Sequence, residues 1–220
     1  MPSGGRAALT MELERHRLVW LADAGWLELL PQAPDGAARQ CLLHWAREHL
    51  PLVVTRQSPD DTLIAVGLAM PTRWGRRKLA LRAAREHLLY SGGFPAAADI
   101  ASLLPANARS PWRALCAELS LLGVSPRVHG SHGWQKLTGL RYLHAASDID
   151  LHIAVDSDTL ADRVATLLQL GTGAAGPRID GELLFPDGGA IAWREWLQLR
   201  EGRVREVLVK RLGGVALEAL

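Results

Sequence analysis

The segment Ser147-Asp148-Ile149-Asp150-Leu151-His152-Ile153-Ala154-Val155 alternates polar and apolar side chains with a period of two. That period suits a strand buried on one face and open on the other, because successive strand side chains point to opposite sides. Ile149, Leu151, Ile153 and Val155 are thereby committed to a core, while Asp148 and Asp150 project together from the opposite face. Two carboxylates held side by side repel one another, and a divalent cation that bridges them to substrate phosphates removes the repulsion. Asp148 and Asp150 are therefore read as a Mg²⁺ site, with a solvated acidic face as the alternative.

The Gly130-Ser131 step stands 17 positions before Asp148, after the strand-like Arg127-Val128-His129 and before a short helix expected over 133–137. At a strand-to-helix turn, backbone amides and a hydroxyl reach phosphate oxygens, and the helix N-terminus adds partial positive charge. Such steps are common, and the acidic pair gives this one its meaning. One element would grip a phosphate tail while the other holds the metal that bridges the same phosphates. Arg178-Ile179-Asp180-Gly181-Glu182-Leu183 offers a third carboxylate on the next strand. Asp180, followed by the small Gly181, is expected to assist deprotonation of an acceptor hydroxyl or to ligate the metal. Glu182 is expected to be a surface acid.

Punctuation along the chain implies a mixed α/β (α+β) architecture in two parts. Residues 1–12 read as a loose arm, and 15–30 as a short Trp-rich pattern broken by Pro31, Pro34 and Asp35-Gly36. A helix is expected over 37–50, ended by Pro51, and strands over 52–55, 63–68 and 78–82. Tyr90-Ser91-Gly92-Gly93-Phe94-Pro95 reads as the linker between an N-terminal α+β domain, 1–90, and a C-terminal domain, 91–220. In the latter, a helix over 111–122 is expected with Ser110 as N-cap and Pro111 in its first turn. Strands at 127–130 and 148–155, a helix at 159–170 and a Gly-rich loop at 171–176 follow. Four short strands are expected near 178–185, 190–193, 205–210 and 215–217, the first two joined by Pro186-Asp187-Gly188. No internal repeat is visible.

Composition narrows the classes of function. A net charge of +2 argues against a general nucleic-acid coat but permits local phosphate pockets. The apolar runs 63–70 and 119–124 fall far short of the roughly 20 residues of a membrane span. No secretion signal is visible, and the two cysteines, Cys41 and Cys116, sit in apolar helical stretches, so reduced thiols in a cytoplasmic protein are expected. Only three of the 25 basic residues are lysines. Two of these, Lys78 in Arg76-Arg77-Lys78 and Lys210 in Lys210-Arg211, lie in basic clusters suited to phosphate, with solvated turns as the alternative. Arg77 is taken as a binding residue with them. His129 and His132 are poorly spaced for zinc, and His144 and His152 are expected to be structural. Trp20, Trp26, Trp45 and Trp112 read as core, whereas Trp134 is either core or a stacking platform for adenine.

Several motifs together resemble a known family: His129-Gly130-Ser131-His132-Gly133-Trp134-Gln135, Tyr142-Leu143-His144-Ala145-Ala146-Ser147-Asp148-Ile149-Asp150-Leu151, Arg178-Ile179-Asp180-Gly181-Glu182, Phe185-Pro186-Asp187-Gly188, Ala192-Trp193-Arg194-Glu195 and Val207-Leu208-Val209-Lys210-Arg211. They are similar to the holo-acyl-carrier-protein synthases of malonate decarboxylase, the phosphoribosyl-dephospho-CoA transferases, within the polymerase-β-type nucleotidyltransferase superfamily. Arg15-His16, Pro51-Leu52-Val53-Val54 and Gly75-Arg76-Arg77-Lys78-Leu79-Ala80-Leu81 extend the likeness over roughly 15–217. The resemblance implies a nucleotidyltransferase fold, a mixed sheet flanked by helices, in the C-terminal domain. It implies triphosphoribosyl-dephospho-CoA as donor and a serine of the malonate decarboxylase acyl-carrier subunit as acceptor, with pyrophosphate released. In that frame Asp148 and Asp150 hold Mg²⁺, Asp180 activates the serine, and Gly130, Ser131, Arg77, Lys78 and Lys210 bind the donor. The broad superfamily usually places its Gly-Ser step closer to the acidic pair, whereas residues 132–147 intervene here; 138–145 is read as a family loop reaching the dephospho-CoA end. Transfer from ATP or another nucleotide, a glycosyltransferase, and a non-catalytic carrier-binding module are the alternatives.

Overall fold

The computed structural model describes residues 13–171 and 176–219. The expected arm at 1–12 and the centre of the Gly-rich loop lie outside the described residues. Five strands form the first sheet, β1 (Leu18–Leu21), β2 (Leu52–Val54), β3 (Ile64–Ala69), β4 (Lys78–Ala83) and β5 (Leu88–Gly92). They are ordered β4-β3-β2-β1-β5 and paired antiparallel. Alternation is clearest in β4, where Leu79, Leu81 and Ala83 are buried and Lys78, Ala80 and Arg82 are exposed. Helices α1 (Asp23–Leu29) and α2 (Gly36–Arg47) contribute Trp26, Leu29, Cys41, Leu42 and Trp45 to the core that these strands share. The Asp35 carboxylate accepts from the Ala38 amide at 2.9 Å and so caps α2.

Two expectations change in this half. The Trp-rich pattern resolves into β1 and α1, a four-residue apolar run being too short to declare its period. The linker expected at 90–95 begins inside β5, an edge strand paired to β1. Its glycine serves packing: a Cβ on Gly92 would lie 3.0 Å from the Trp20 ring, which stacks on Tyr90 at 4.8 Å.

The second sheet contains β6 (Arg127–His129), β7 (Ile149–Ala154), β8 (Ile179–Leu184), β9 (Ala190–Ala192), β10 (Val207–Lys210) and β11 (Val215–Glu218), in the order β11-β10-β9-β8-β7-β6. Strands β7 and β8 are parallel and the other described pairs antiparallel, so the expected mixed sheet flanked by helices is borne out. Ile149, Leu151 and Ile153 share a core with Leu119 of α3 (Ala106–Leu121), Val164 and Leu168 of α5 (Asp158–Gly171) and Trp193 and Trp196 of α6 (Trp193–Arg200). The α6 helix replaces the end of an expected strand, and its two buried tryptophans sit three residues apart on one face. Helix α3 begins at Ala106 after Pro105, so Ser110 is not its cap and Pro111 lies inside it. Pro111 forgoes one helical hydrogen bond there, while the neighbouring Trp112 anchors the helix by donating Nε1–H to the Ala97 carbonyl at 2.8 Å.

The two halves are fastened together by α4 (Gly130–Thr138) and the segment after it. Phe94, Trp134 and Tyr142 are buried in the core of the first half, and the Tyr142 hydroxyl donates to the Ala69 carbonyl at 2.8 Å. Trp134, only 4% exposed and edge-on to Phe94 at 5.3 Å, is therefore a core residue at the junction rather than a free stacking platform. Among the described residues no helix is long and apolar enough to cross a membrane. Burial pushes the Cys41 thiol up to about 12 and that of Cys116 up to about 11. Alkylation at neutral pH is thus expected to modify neither until denaturant is added. Mass measurement reads this directly, and labelling of Cys41 in the folded protein would contradict its burial.

Candidate active site

The strand register assembles the acidic centre. Asp150 lies opposite Asp180 across the parallel β7–β8 pair and opposite His129 across β6–β7. The alternation read from the sequence holds: Ile149, Leu151 and Ile153 are buried while Asp150 and His152 face the other way. Asp148 stands just before β7, its backbone carbonyl hydrogen-bonded to the buried His132 ring at 3.0 Å. His132 is thus structural.

Gly130 is the first residue of α4, with His129 at the N-cap position, so the helix starts three residues earlier than expected. Its φ is +59°, and a Cβ there would fall 1.8 Å from Asp150 Oδ2. Only a glycine leaves room for that carboxylate against the helix N-terminus. Burial raises the Asp150 pKa first, and repulsion from Asp180 and Asp148 adds to it, with Lys78 and Arg178 opposing.

Two arginines that carry no local pattern of their own organise the remaining carboxylates. Arg178 Nη2 donates to Asp148 Oδ2 at 2.8 Å and also to Asp180, joining them. Arg194 Nε approaches Asp180 Oδ1 at 3.6 Å. Asp148 and Asp180 thus have cationic partners in bonding range, whereas Asp150, in a partly desolvated place, has no ion-pair partner among the described residues and feels Lys78 and Arg178 only at longer range. A donor set of this kind fits Mg²⁺, which takes one or two carboxylates and completes its shell with water and phosphate oxygens. Among the described residues no group of three or more His, Cys, Asp or Glu is arranged to hold a metal ion, so protein carboxylates would supply at most part of the shell.

A cavity of about 1100 Å³ opens between the halves. It brings together Arg77, Lys78, Gly130, Ser131, Asp150, Asp180 and Lys210 from the sequence reading, while Asp148 lies beside it rather than in its lining. Two of the expected phosphate ligands are already engaged. Arg77 pairs with the capping Asp35 at 2.6 Å, and Lys210 Nζ donates to Glu182 Oε1 at 2.7 Å. Glu182 overturns its expectation as a surface acid: its side chain is 14% exposed and also meets Arg15 at 3.4 Å. The reason is tertiary, since Arg15 and His16 reach across from the segment before β1 to cover this part of β8. His16, at φ +63°, stacks on His129 at 4.4 Å. Burial is the main reason that the His129 and His152 pKa values are pushed down, that of His152 to about 4, which favours the neutral ring at both positions.

Comparison with known proteins adds to this geometry. The family model described as "Phosphoribosyl-dephospho-CoA transferase MdcG C-terminal domain" matches residues 95–219, and the corresponding N-terminal domain model matches 14–91. The chain is similar to the phosphoribosyl-dephospho-CoA transferase of Xanthomonas campestris pv. campestris, 38% identical over 206 residues and covering 92% of each chain. The protein of that name from Bradyrhizobium diazoefficiens is 34% identical over 209 residues, covering 92% of this chain and 88% of the relative. That from Klebsiella pneumoniae is 31% identical over 214 residues, covering 93% of each. No solved structure matches the chain.

Proposed function

Since the chain belongs to the phosphoribosyl-dephospho-CoA transferase family along nearly its whole length, we propose that it transfers the phosphoribosyl-dephospho-CoA group from triphosphoribosyl-dephospho-CoA to a serine of the acyl-carrier subunit of malonate decarboxylase. The carrying observation is that one cavity is lined by Asp150 and Asp180 together with Lys78, Arg77, Lys210 and the N-terminus of α4. That arrangement supplies cations along a polyphosphate and carboxylates at one point of it.

In this reading the serine Oγ attacks the α-phosphorus in line. The new P–O bond forms as the bond to pyrophosphate breaks, and the serine proton passes to Asp180, which Arg178 and Arg194 hold in place. Asp148 and Asp150 would hold Mg²⁺, which when bound supplies neutralisation of charge on the phosphate oxygens. Lys78 lies in the open on β4 and would meet the donor as a point charge. Gly130 and Ser131 would offer backbone amides at the start of α4. Catalysis is then positioning and charge neutralisation rather than covalent chemistry by the protein.

The test is intact mass of purified carrier after incubation with the enzyme and either triphosphoribosyl-dephospho-CoA or ATP. Carrier bearing the serine is expected to gain the prosthetic group, with one pyrophosphate released per transfer, while a carrier with serine replaced by alanine gains nothing. ATP is expected to be a poor donor, because it lacks the remote groups whose binding energy holds the reacting phosphorus in place. Transfer to the alanine carrier, or transfer as fast from ATP, would replace this reading with general nucleotidyl transfer.

A further inference from the structure

Glu182 lies two residues beyond Asp180 on β8, roughly 7 Å along the strand, and it is the meeting point of the two halves. Lys210 Nζ, from β10, donates to its Oε1 at 2.7 Å. Arg15 Nη1 stands 3.4 Å from its Oε2, and His16 Nε2 stands 3.8 Å from the same oxygen. Arg15 also donates to the backbone carbonyl of Lys210 at 3.4 Å. Oε2 itself has no well-formed hydrogen bond, so Arg15 is held there by charge and keeps N–H donors to spare. Arg15, Lys210 and Glu182 all line the cavity that holds Asp150 and Asp180.

A lone buried carboxylate between two cations is a device for bringing those cations close. Without it, partly buried Arg15 and Lys210 would repel and turn outward. With it, a guanidinium and an ammonium are held side by side against one carboxylate, two cations to one anion. We propose that Glu182 is a positioning residue that holds Arg15 and Lys210 as a two-cation clamp for the terminal phosphates of the donor, assembled from both halves of the chain. The distance from Asp180 suits the reach of a triphosphate tail bound by its first phosphorus near Asp150. The proposal rests on the polyphosphate-donor reading given above and adds to it Arg15, Glu182 and the requirement for the N-terminal half.

Calorimetric titration of the full chain with inorganic pyrophosphate and with tripolyphosphate, in Mg²⁺, separates the two. Glu182→Gln and Lys210→Gln are each expected to weaken pyrophosphate binding about tenfold, the usual size for one charge-assisted contact. The double variant is expected to be no weaker than either single, and Glu182→Asp to recover part of the loss. In turnover, KM for the donor is expected to rise in the same order as the loss of pyrophosphate affinity. Removing a carboxylate also makes the cavity more positive, so a Glu182 that only neutralised charge would give tighter binding on replacement by Gln. Tighter or unchanged binding in Glu182→Gln overturns the clamp. Should that variant fail to fold in a thermal melt, Arg15→Gln and Lys210→Gln decide: unchanged affinity in both overturns the proposal. If the unaltered protein binds neither anion, the polyphosphate-donor reading falls as well, whereas binding equal in all forms removes the clamp alone.

Discussion

Asp150→Asn is expected to lower transfer by about 10³-fold and to raise the melting temperature at the same time. The first effect follows from the loss of the carboxylate best placed to hold a cation against the donor, a contribution of about 4 kcal/mol to the transition state. The second follows from its surroundings. Burial and the charges of Asp180 and Asp148 raise the Asp150 pKa, so in the folded chain its ionised form is disfavoured. The sign is fixed by linkage: a carboxylate whose pKa is higher folded than unfolded opposes folding at neutral pH, and that opposition fades as pH falls. Removing the charge relieves it. Asp148→Ala is expected to lower transfer comparably with little change in melting temperature, because its bond to Arg178 is largely exposed and such pairs contribute about 1 kcal/mol or less. Steady-state transfer and thermal melts of both variants check this together. Near-normal turnover in either one would remove the metal-site reading, and a lower melting temperature for Asp150→Asn would remove the account of its strained environment.

Much of this centre was legible because it is local. The period-two pattern of 147–155 fixed which residues of β7 are core, and which carboxylates face out, without knowledge of any partner strand. The glycines and Asp180 could be chosen as candidates on the same local grounds. What stayed hidden depends on pairing across long separations. The register that sets Asp150 against Asp180 requires the intervening α5 crossover to place β8 parallel to β7. The burial of Glu182 is decided by Arg15, far away in sequence, and by Lys210 two strands across the sheet. Arg178 is silent in the sequence because a single arginine near a loop carries no pattern, although it joins two carboxylates in the structure. In the first half, the Gly-containing 90–95 segment has the composition of a linker, and only the ring of Trp20 explains why a strand there needs glycine.

Gly130→Ala tests whether the Gly-Ser step serves the phosphates alone or the carboxylate beside it. The backbone at Gly130 is left-handed, so any side chain there costs about 1 kcal/mol in conformational strain. That alone would lower the melting temperature and leave chemistry untouched. The position has a second constraint, for the added methyl would sit 1.8 Å from Asp150 Oδ2 and 2.9 Å from its Cγ. One of them must move, and the carboxylate end is the softer. A displacement of about 1 Å in a catalytic group can cost roughly 10²-fold in rate, so transfer is expected to fall by that much or more. Gly202 provides the control: its φ is +71°, and nothing lies within 4 Å of the place a Cβ would take. Gly202→Ala should therefore show the same strain in a thermal melt with transfer preserved. If Gly130→Ala kept its turnover, or if the Gly202 variant lost as much, the close approach of Gly130 to Asp150 would have no part in the reaction, and the step would act through its amides or only as a turn.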